Sequence, residues 1–326
     1  MYAAMLPFWY AASRKVRRLL SGRTVPLMSL FSAVCFVIQM INIPLPGGTT
    51  GHASGAALTA IVLSPWPALL SVSVTLIVQS LFFADGGVTA IGANCFNIAL
   101  VQVFTAYFIY KTFAAAATTP FGKGMAAAVA GYLSLNAAAL LTGVELGLQP
   151  IIAHEADGTP LYAPYNLSVA VPAMMISHSI AGLAEALLTA AGVAYLHASA
   201  PELMSGLANE IERRPLPVLW GRIRLLWIIV AVLVLLTPLG LLAPGTGWGE
   251  WASEQFYGIG LGFIPKGLMR WEAIWSSWLL DYSVPGLGPR SGYVVSAIIG
   301  IFVILAVFQL ITAIGRRSAK SVEKKA

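Results

Sequence analysis

Of the four histidines in this chain, two stand where an imidazole can do chemistry. His52 lies in the run NIPLPGGTTGHASGAAL, residues 42–58. Gly47, Gly48 and Gly51 let the backbone turn tightly and approach a ligand, while Pro44 and Pro46 stiffen the entry. An imidazole at the mouth of such a segment suits a divalent transition metal; the plainer reading is a ring bonded to a neighbouring carbonyl. His178 opens a second constellation, with Glu185 seven residues on. Residues seven apart lie nearly on one helix face, so the two can bind an ion, bond each other, or hold two helices together, the last being the commoner use. Asp85 precedes a Gly86-Gly87 pair and can attract cations or cap a turn, and Asn94 shares a helix face with Asn97. His154, Glu155 and Asp157 read as a solvated loop, and His197 as a residue near a helix end.

The elements that must hold these residues are apolar. Apolar types make up 58% of the 326 residues and charged types 10%, with a mean hydropathy of +0.80. A soluble domain carries about 25% charge, so the composition predicts an all-α, polytopic transmembrane helix bundle. About nine apolar segments are expected, near 1–12, 26–43, 52–64, 66–84, 88–110, 124–147, 168–196, 225–243 and 292–314. The first is too short to span, since a spanning helix needs about 20 residues. The third is also short and opens on Gly51-His52-Ala53-Ser54-Gly55. That predicts a re-entrant or protein-buried piece, because irregular backbone at membrane depth survives only where protein or a water-filled cavity shields it. Gly51, Gly55 and the alanines of 126–139 have the small-residue spacing of close helix contacts.

The net charge of +6 does not point to nucleic acid, because the basic residues flank apolar segments, where lipid and topology account for them. With the loop holding Arg14, Lys15, Arg17, Arg18 and Arg23 inside, alternation through nine segments leaves sixteen of nineteen basic residues inside. The others are Lys111, Lys123, Arg213, Arg214, Arg222, Arg224, Arg316, Arg317, Lys320, Lys324 and Lys325; only Lys266, Arg270 and Arg290 fall outside. The N-terminus is thus expected outside the cytoplasmic membrane and the C-terminus inside. A polar stretch at 201–224 divides a domain at 1–205 from one at 215–326. The second holds a long external loop, 244–291, whose Trp248, Trp251, Tyr257, Trp271, Trp275 and Trp278 suit an interface or a packed surface.

Cys35 and Cys95 lie in apolar runs and form no disulfide framework or metal pair. The order of apolar run and charges at the start is the reverse of a secretory signal. Walker A, HExxH and GxSxG patterns are absent from the sequence, so the chain is expected to have no ATP-hydrolysing part of its own.

Three stretches carry a family resemblance: QMINIPLPGGTTGHASGAALTAIVLSPW (39–66), LFFADGGVTAIGANCFNIALV (81–101) and SHSIAGLAEALLTA (177–190). They resemble the CbiM/NikM family, the substrate-binding membrane component of energy-coupling-factor importers for cobalt and nickel. The tail, with TPLGLLAPGTGWGEWASE (237–254), looks like the PDGLE or CbiN-type region often fused to it. The resemblance implies a non-enzymatic subunit that captures Co²⁺ or Ni²⁺ as cargo, has no cofactor of its own, and partners a transmembrane coupling subunit and ATPase subunits. It also implies bacterial inner-membrane localisation. In the family the metal is held by an N-terminal amine and a histidine at position two, plus a histidine further in that His52 matches. This chain begins Met1-Tyr2-Ala3-Ala4, and the expectation is that about fifteen residues with an MHIPDG-like start precede Met1. His52 is therefore the leading metal ligand, with Asp85, Asn94, His178 and Glu185 behind it. Capture of another micronutrient, an intramembrane hydrolase using Ser54 or Ser177 with His178, and a mere scaffold are the alternatives.

Overall fold

A computed structural model describes residues 1–17, 24–204, 216–243 and 245–323. The expectations for Arg18, Arg23, Arg213, Arg214, Lys324, Lys325 and the domain boundary at 205–215 lie outside the described residues. The chain is a bundle of helices: α1 (Tyr2–Arg17), α2 (Thr24–Gln39), α3 (Ala56–Leu63), α4 (Pro65–Val78), α5 (Ile91–Asn94), α6 (Val103–Ala114), α7 (Pro120–Ile152), α8 (Leu167–Ser199), α9 (Leu216–Leu236), α10 (Lys266–Glu272) and α11 (Pro289–Glu323). Two π-helical segments, Gln79–Phe83 and Cys95–Gln102, prolong α4 and join α5 to α6.

Among the described residues, six helices are long and apolar enough to cross a membrane, at Pro65–Phe83, Val88–Ala114, Pro120–Ile152, Leu167–Ser199, Arg224–Leu242 and Pro289–Ile314. The count of nine is not reached. The segment Thr24–Gln39 has only 16 residues, about 24 Å of helix against a hydrocarbon core of about 30 Å. The 1–12 segment forms α1, and 52–64 contributes the eight-residue α3. A two-stranded antiparallel hairpin precedes α3, pairing β1 (Ile43–Leu45) with β2 (Thr49–Gly51). Gly47 and Gly48 turn it at φ +86° and +75°, which only glycine adopts without strain.

The core centres on α2, nearly every residue of which is buried. The C-terminal helices reach it because glycines stand at the crossings: a side chain at Gly300 would overlap the Phe36 ring, and one at Gly240 the Met40 carbonyl. α7 and α8 form the longest hairpin, with Ala126, Ala127, Ala130, Ala138 and Ala139 buried and glycines making close approaches. Gly131 lies against Thr189 and the Glu185 carbonyl, Gly143 against Ala170 and Val171, and Gly147 against Leu167. Without a hydrophobic drive between helices in lipid, such close backbone packing supplies the association.

The 245–288 loop packs on the rest of the chain. Trp275 Nε1 donates to the Leu81 carbonyl at 2.8 Å, and Leu279 N to the Phe82 carbonyl at 2.9 Å. These are carbonyls at the end of the α4 helix, which lack partners in their own helix. Tyr282 follows, buried and at φ +59°, its ring stacked on Phe83 at 4.9 Å and edge-on to Phe36 at 6.2 Å. Its hydroxyl donates to Asp85 Oδ2 at 2.5 Å and accepts from Gln79 Nε2 at 3.3 Å. Burial, and then the neighbouring Asp85 carboxylate, holds this phenol well above its ordinary range, so it remains a donor. Tyr282→Phe should lower stability by about 1.5–3 kcal/mol, the worth of a bond to a charged acceptor, visible as a lowered midpoint in thermal unfolding of the detergent-solubilised protein.

Candidate functional site

The site begins with a helix that cannot start by itself. α3 follows Gly55, which sits at φ +70° and supplies no capping side chain. The first amides of a helix lack intrahelical acceptors, and at membrane depth no water replaces them. Glu185 of α8, fully buried, fills the gap. Its Oε2 accepts from the amides of Ser54 at 2.7 Å and Gly55 at 3.1 Å. Its Oε1 accepts from Ala57 N at 3.2 Å, Ser54 Oγ at 3.1 Å and Gln102 Nε2 at 3.2 Å. A negative charge there also meets the positive end of the helix dipole. Gln102 Nε2 reaches Ser54 Oγ at 2.7 Å, and Gln39 Nε2 donates to the Ser54 carbonyl at 2.9 Å. Side chains from α2, the second π segment and α8 thus immobilise the turn that follows His52.

His52 is half-buried, between the end of β2 and this turn. Its Nδ1 lies 3.1 Å from the Ala53 carbonyl oxygen. His178 Nδ1 lies 2.9 Å from the Met174 carbonyl oxygen and 3.1 Å from Ser177 Oγ. A carbonyl only accepts, so each Nδ1 carries a proton and each Nε2 of the neutral ring keeps its lone pair. That is the tautomer in which a histidine ligates metal, oriented by the bond its other nitrogen makes. The two rings, from separate elements, are close enough to interact electrostatically. Among the described residues no group of three or more His, Cys, Asp or Glu side chains comes together as a metal site.

The other expected ligands are placed differently. Glu185 shares a helix with His178, but both its oxygens are occupied by the Ser54–Ala57 amides and the side chains around them; its work is to join two helices. Asp85 binds Tyr282 and Gln79. Asn94 donates to the Gly86 carbonyl at 3.3 Å and holds that turn. Ser177 Oγ donates to the carbonyls of Ala173 and Met174, and Ser54 Oγ lies in the Glu185 network, so neither serine is presented as a nucleophile. His154 and Glu155 are in a surface turn, where Glu155 pairs with Lys266 at 2.8 Å, and His197 bonds Tyr110 at 3.0 Å. The sequence reading passed over Gln39, Gln102 and Glu145. Each is a polar side chain within an apolar run, a signal of function or buried bonding in its own right.

Comparison with known proteins decides the family. Residues 1–203 match CbiM, the cobalt uptake substrate-specific transmembrane region. The chain belongs to the CbiM family. A PDGLE domain match covers residues 222–317. The chain is 44% identical to the fused nickel transport protein NikMN of Rhodobacter capsulatus, over 94% of this chain and 91% of that one. It is 36% identical to a probable fused nickel transport protein LarMN of Lactiplantibacillus plantarum, again over 94% and 91%. A solved crystal structure of a truncated transition metal transporter is 47% identical, with a TM-score of 0.57, over 60% of this chain and 91% of that one.

For this CbiM-family chain, the fused C-terminal region touches the site's frame directly. Thr50 N donates to the Thr246 carbonyl at 3.1 Å, so the loop bonds the strand that delivers His52. Trp248 and Trp251 pack with Tyr165, which precedes α8. The turn itself depends on Glu185. Glu185→Ala should cost about 3–5 kcal/mol, the range for removing one partner of a buried charged network, with Glu185→Gln losing less. Thermal unfolding of purified variants checks both the size and the order.

Proposed function

We propose that this chain is the cargo-capturing membrane subunit of an ATP-driven importer of the energy-coupling-factor type, taking Ni²⁺ or Co²⁺ at its extracytoplasmic side. His52 and His178 are the proposed ligands. The observation that carries this reading is the two imidazoles within electrostatic range of each other, each with Nδ1 committed to a main-chain carbonyl and Nε2 left open. Imidazole suits late divalent metals such as nickel. The relatives support the cargo class: those named above are nickel transport proteins, and a 30% identical relative from Geobacter sulfurreducens is a cobalt transport protein.

ATP hydrolysis falls to separate subunits, joined through a transmembrane coupling partner, and the chain itself performs no catalysis. The basic residues flanking its helices support a cytoplasmic-membrane location. Two imidazoles leave coordination positions open for further donors. Donor type then discriminates: neutral nitrogen ligands favour Ni²⁺ and Co²⁺ over Mg²⁺ and Ca²⁺, which prefer oxygen.

Calorimetry of Ni²⁺ and Co²⁺ binding to the detergent-solubilised protein tests this. His52→Ala and His178→Ala should each weaken binding at least about tenfold, equivalent to about 1.4 kcal/mol, while His154→Ala leaves it unchanged. An added MHIPDG start should tighten it. Equal affinity in the wild type and the double His52→Ala/His178→Ala variant would remove both residues from the site.

A further inference from the structure

A second glutamate inside the bundle has the opposite bonding pattern from Glu185. Glu145 lies on α7, seven residues before its end at Ile152. Asn97, 2% exposed, projects from the second π segment and donates Nδ2 to Glu145 Oε2 at 2.9 Å. The remaining oxygens of both groups, Glu145 Oε1 and Asn97 Oδ1, are buried and have no hydrogen-bond partner. Glu185 is held by five donors; Glu145 has one, and beside it stands a bare acceptor.

An ionised carboxylate with a single neutral donor, facing an unpaired amide oxygen away from water, is costly. One proton removes every part of that cost. Carried on Oε1, it donates to Asn97 Oδ1, and the acid and the amide then close a ring of two hydrogen bonds, N–H···O and O–H···O. We infer that Glu145 is carried as the neutral acid in this pair, forming a proton-binding site within the bundle that clips the π segment to α7. The same segment carries Gln102, which holds the Ser54 turn, so the clip bears on the frame of His52 without touching it.

Titratable groups stand on the elements packed against the pair; on the C-terminal loop, Gly249 lies against Leu146, beside Glu145, and Glu250 follows it. The chain's amino group is within electrostatic range of Glu145, from the start of α1. On α8, the contacts of Gly143 with Val171 and Gly147 with Leu167 set Glu145 level with about residue 169. His178 is then about 13 Å further along α8 at 1.5 Å per residue, and Glu185 further still. On α6, Lys111 lies in the last turn. Cys95, at the head of the π segment, is a buried free thiol.

Infrared spectroscopy of the reconstituted, metal-free chain at neutral pH reads the proton directly. The wild type should show a protonated-carboxyl C=O band that shifts in D₂O, is lost in Glu145→Gln and persists in Glu155→Gln, an external control. Raising the pH should abolish the band in the wild type. Glutamine can donate to Asn97 Oδ1 and accept from Nδ2 as the acid does, so Glu145→Gln should keep the wild-type thermal midpoint and make it less pH-dependent at alkaline pH. Asn97→Leu should lower the midpoint. If Glu145→Gln leaves the carboxyl spectrum unchanged at neutral pH, Glu145 is ionised and the inference is overturned. A Glu145→Gln midpoint lowered as far as that of Asn97→Leu would also overturn it. Because no metal is present, neither outcome depends on the assignment of His52 and His178.

Discussion

The start of α3 inside the bundle, away from water, is the constraint on which the rest of the site depends. Backbone amides at a helix N-terminus need acceptors, and the local sequence Ser54-Gly55-Ala56-Ala57 supplies only one hydroxyl for the purpose. The acceptor comes instead from α8 as a full negative charge, and that choice has consequences. A buried carboxylate tolerates no misplacement of its donors, so Ser54, Gly55, Ala57 and Gln102 are all fixed relative to α8. His178 rides on the same helix as that carboxylate, and His52 on the chain immediately before the amides it binds. The spacing of the two imidazoles is therefore set by a cap and not by contact between them.

The same logic governs the other end of the α3–α4 unit. The amides at the head of α3 are satisfied from α8, and the carbonyls at the foot of α4 are satisfied from the C-terminal loop through Trp275 and Leu279. Neither end closes on itself. A short helix and its successor are suspended between two remote segments, and both π segments occur where a polar side chain must be turned toward these ends: Gln79 toward Asp85 and Tyr282, Gln102 toward Ser54. Adding a residue to a helical turn re-aims side chains that regular α geometry would send elsewhere.

Much of this was legible in the sequence, and the parts that were not share a cause. Composition gave the membrane class, and the apolar runs gave the helices, because burial in lipid leaves an unbroken hydropathy signal. The family resemblance marked the 39–66 and 177–190 stretches that the structure brings together. His52 and His178 stood out because ionisable residues are scarce in such runs. The role of Glu185 was ambiguous from its seven-residue spacing, since its partners lie about 130 positions away and no periodicity reveals them. The expected nine segments were not confirmed as spans among the described residues for a related reason: hydropathy records what is apolar, while α2 and α3 are apolar because protein surrounds them. The β hairpin was hidden by its prolines and glycines, which read as irregular backbone, and the π segments because a single extra residue per turn leaves no mark on an apolar run.

The distance in sequence between Ser54 and Glu185 also bears on how the protein is made. A chain emerges from the ribosome and enters the membrane in order, and α3 arrives roughly 130 residues before the side chain that completes it. At eight residues α3 is too short to be retained as a span by itself, and until α8 is inserted its leading amides have no protein acceptor from that helix. Contacts of such large sequence separation form late and slowly. The Ser54–Ala57 turn is thus among the last parts of the molecule to become native, and assembly intermediates lacking α8 present a membrane protein whose earlier helices are in place while this turn is still unformed.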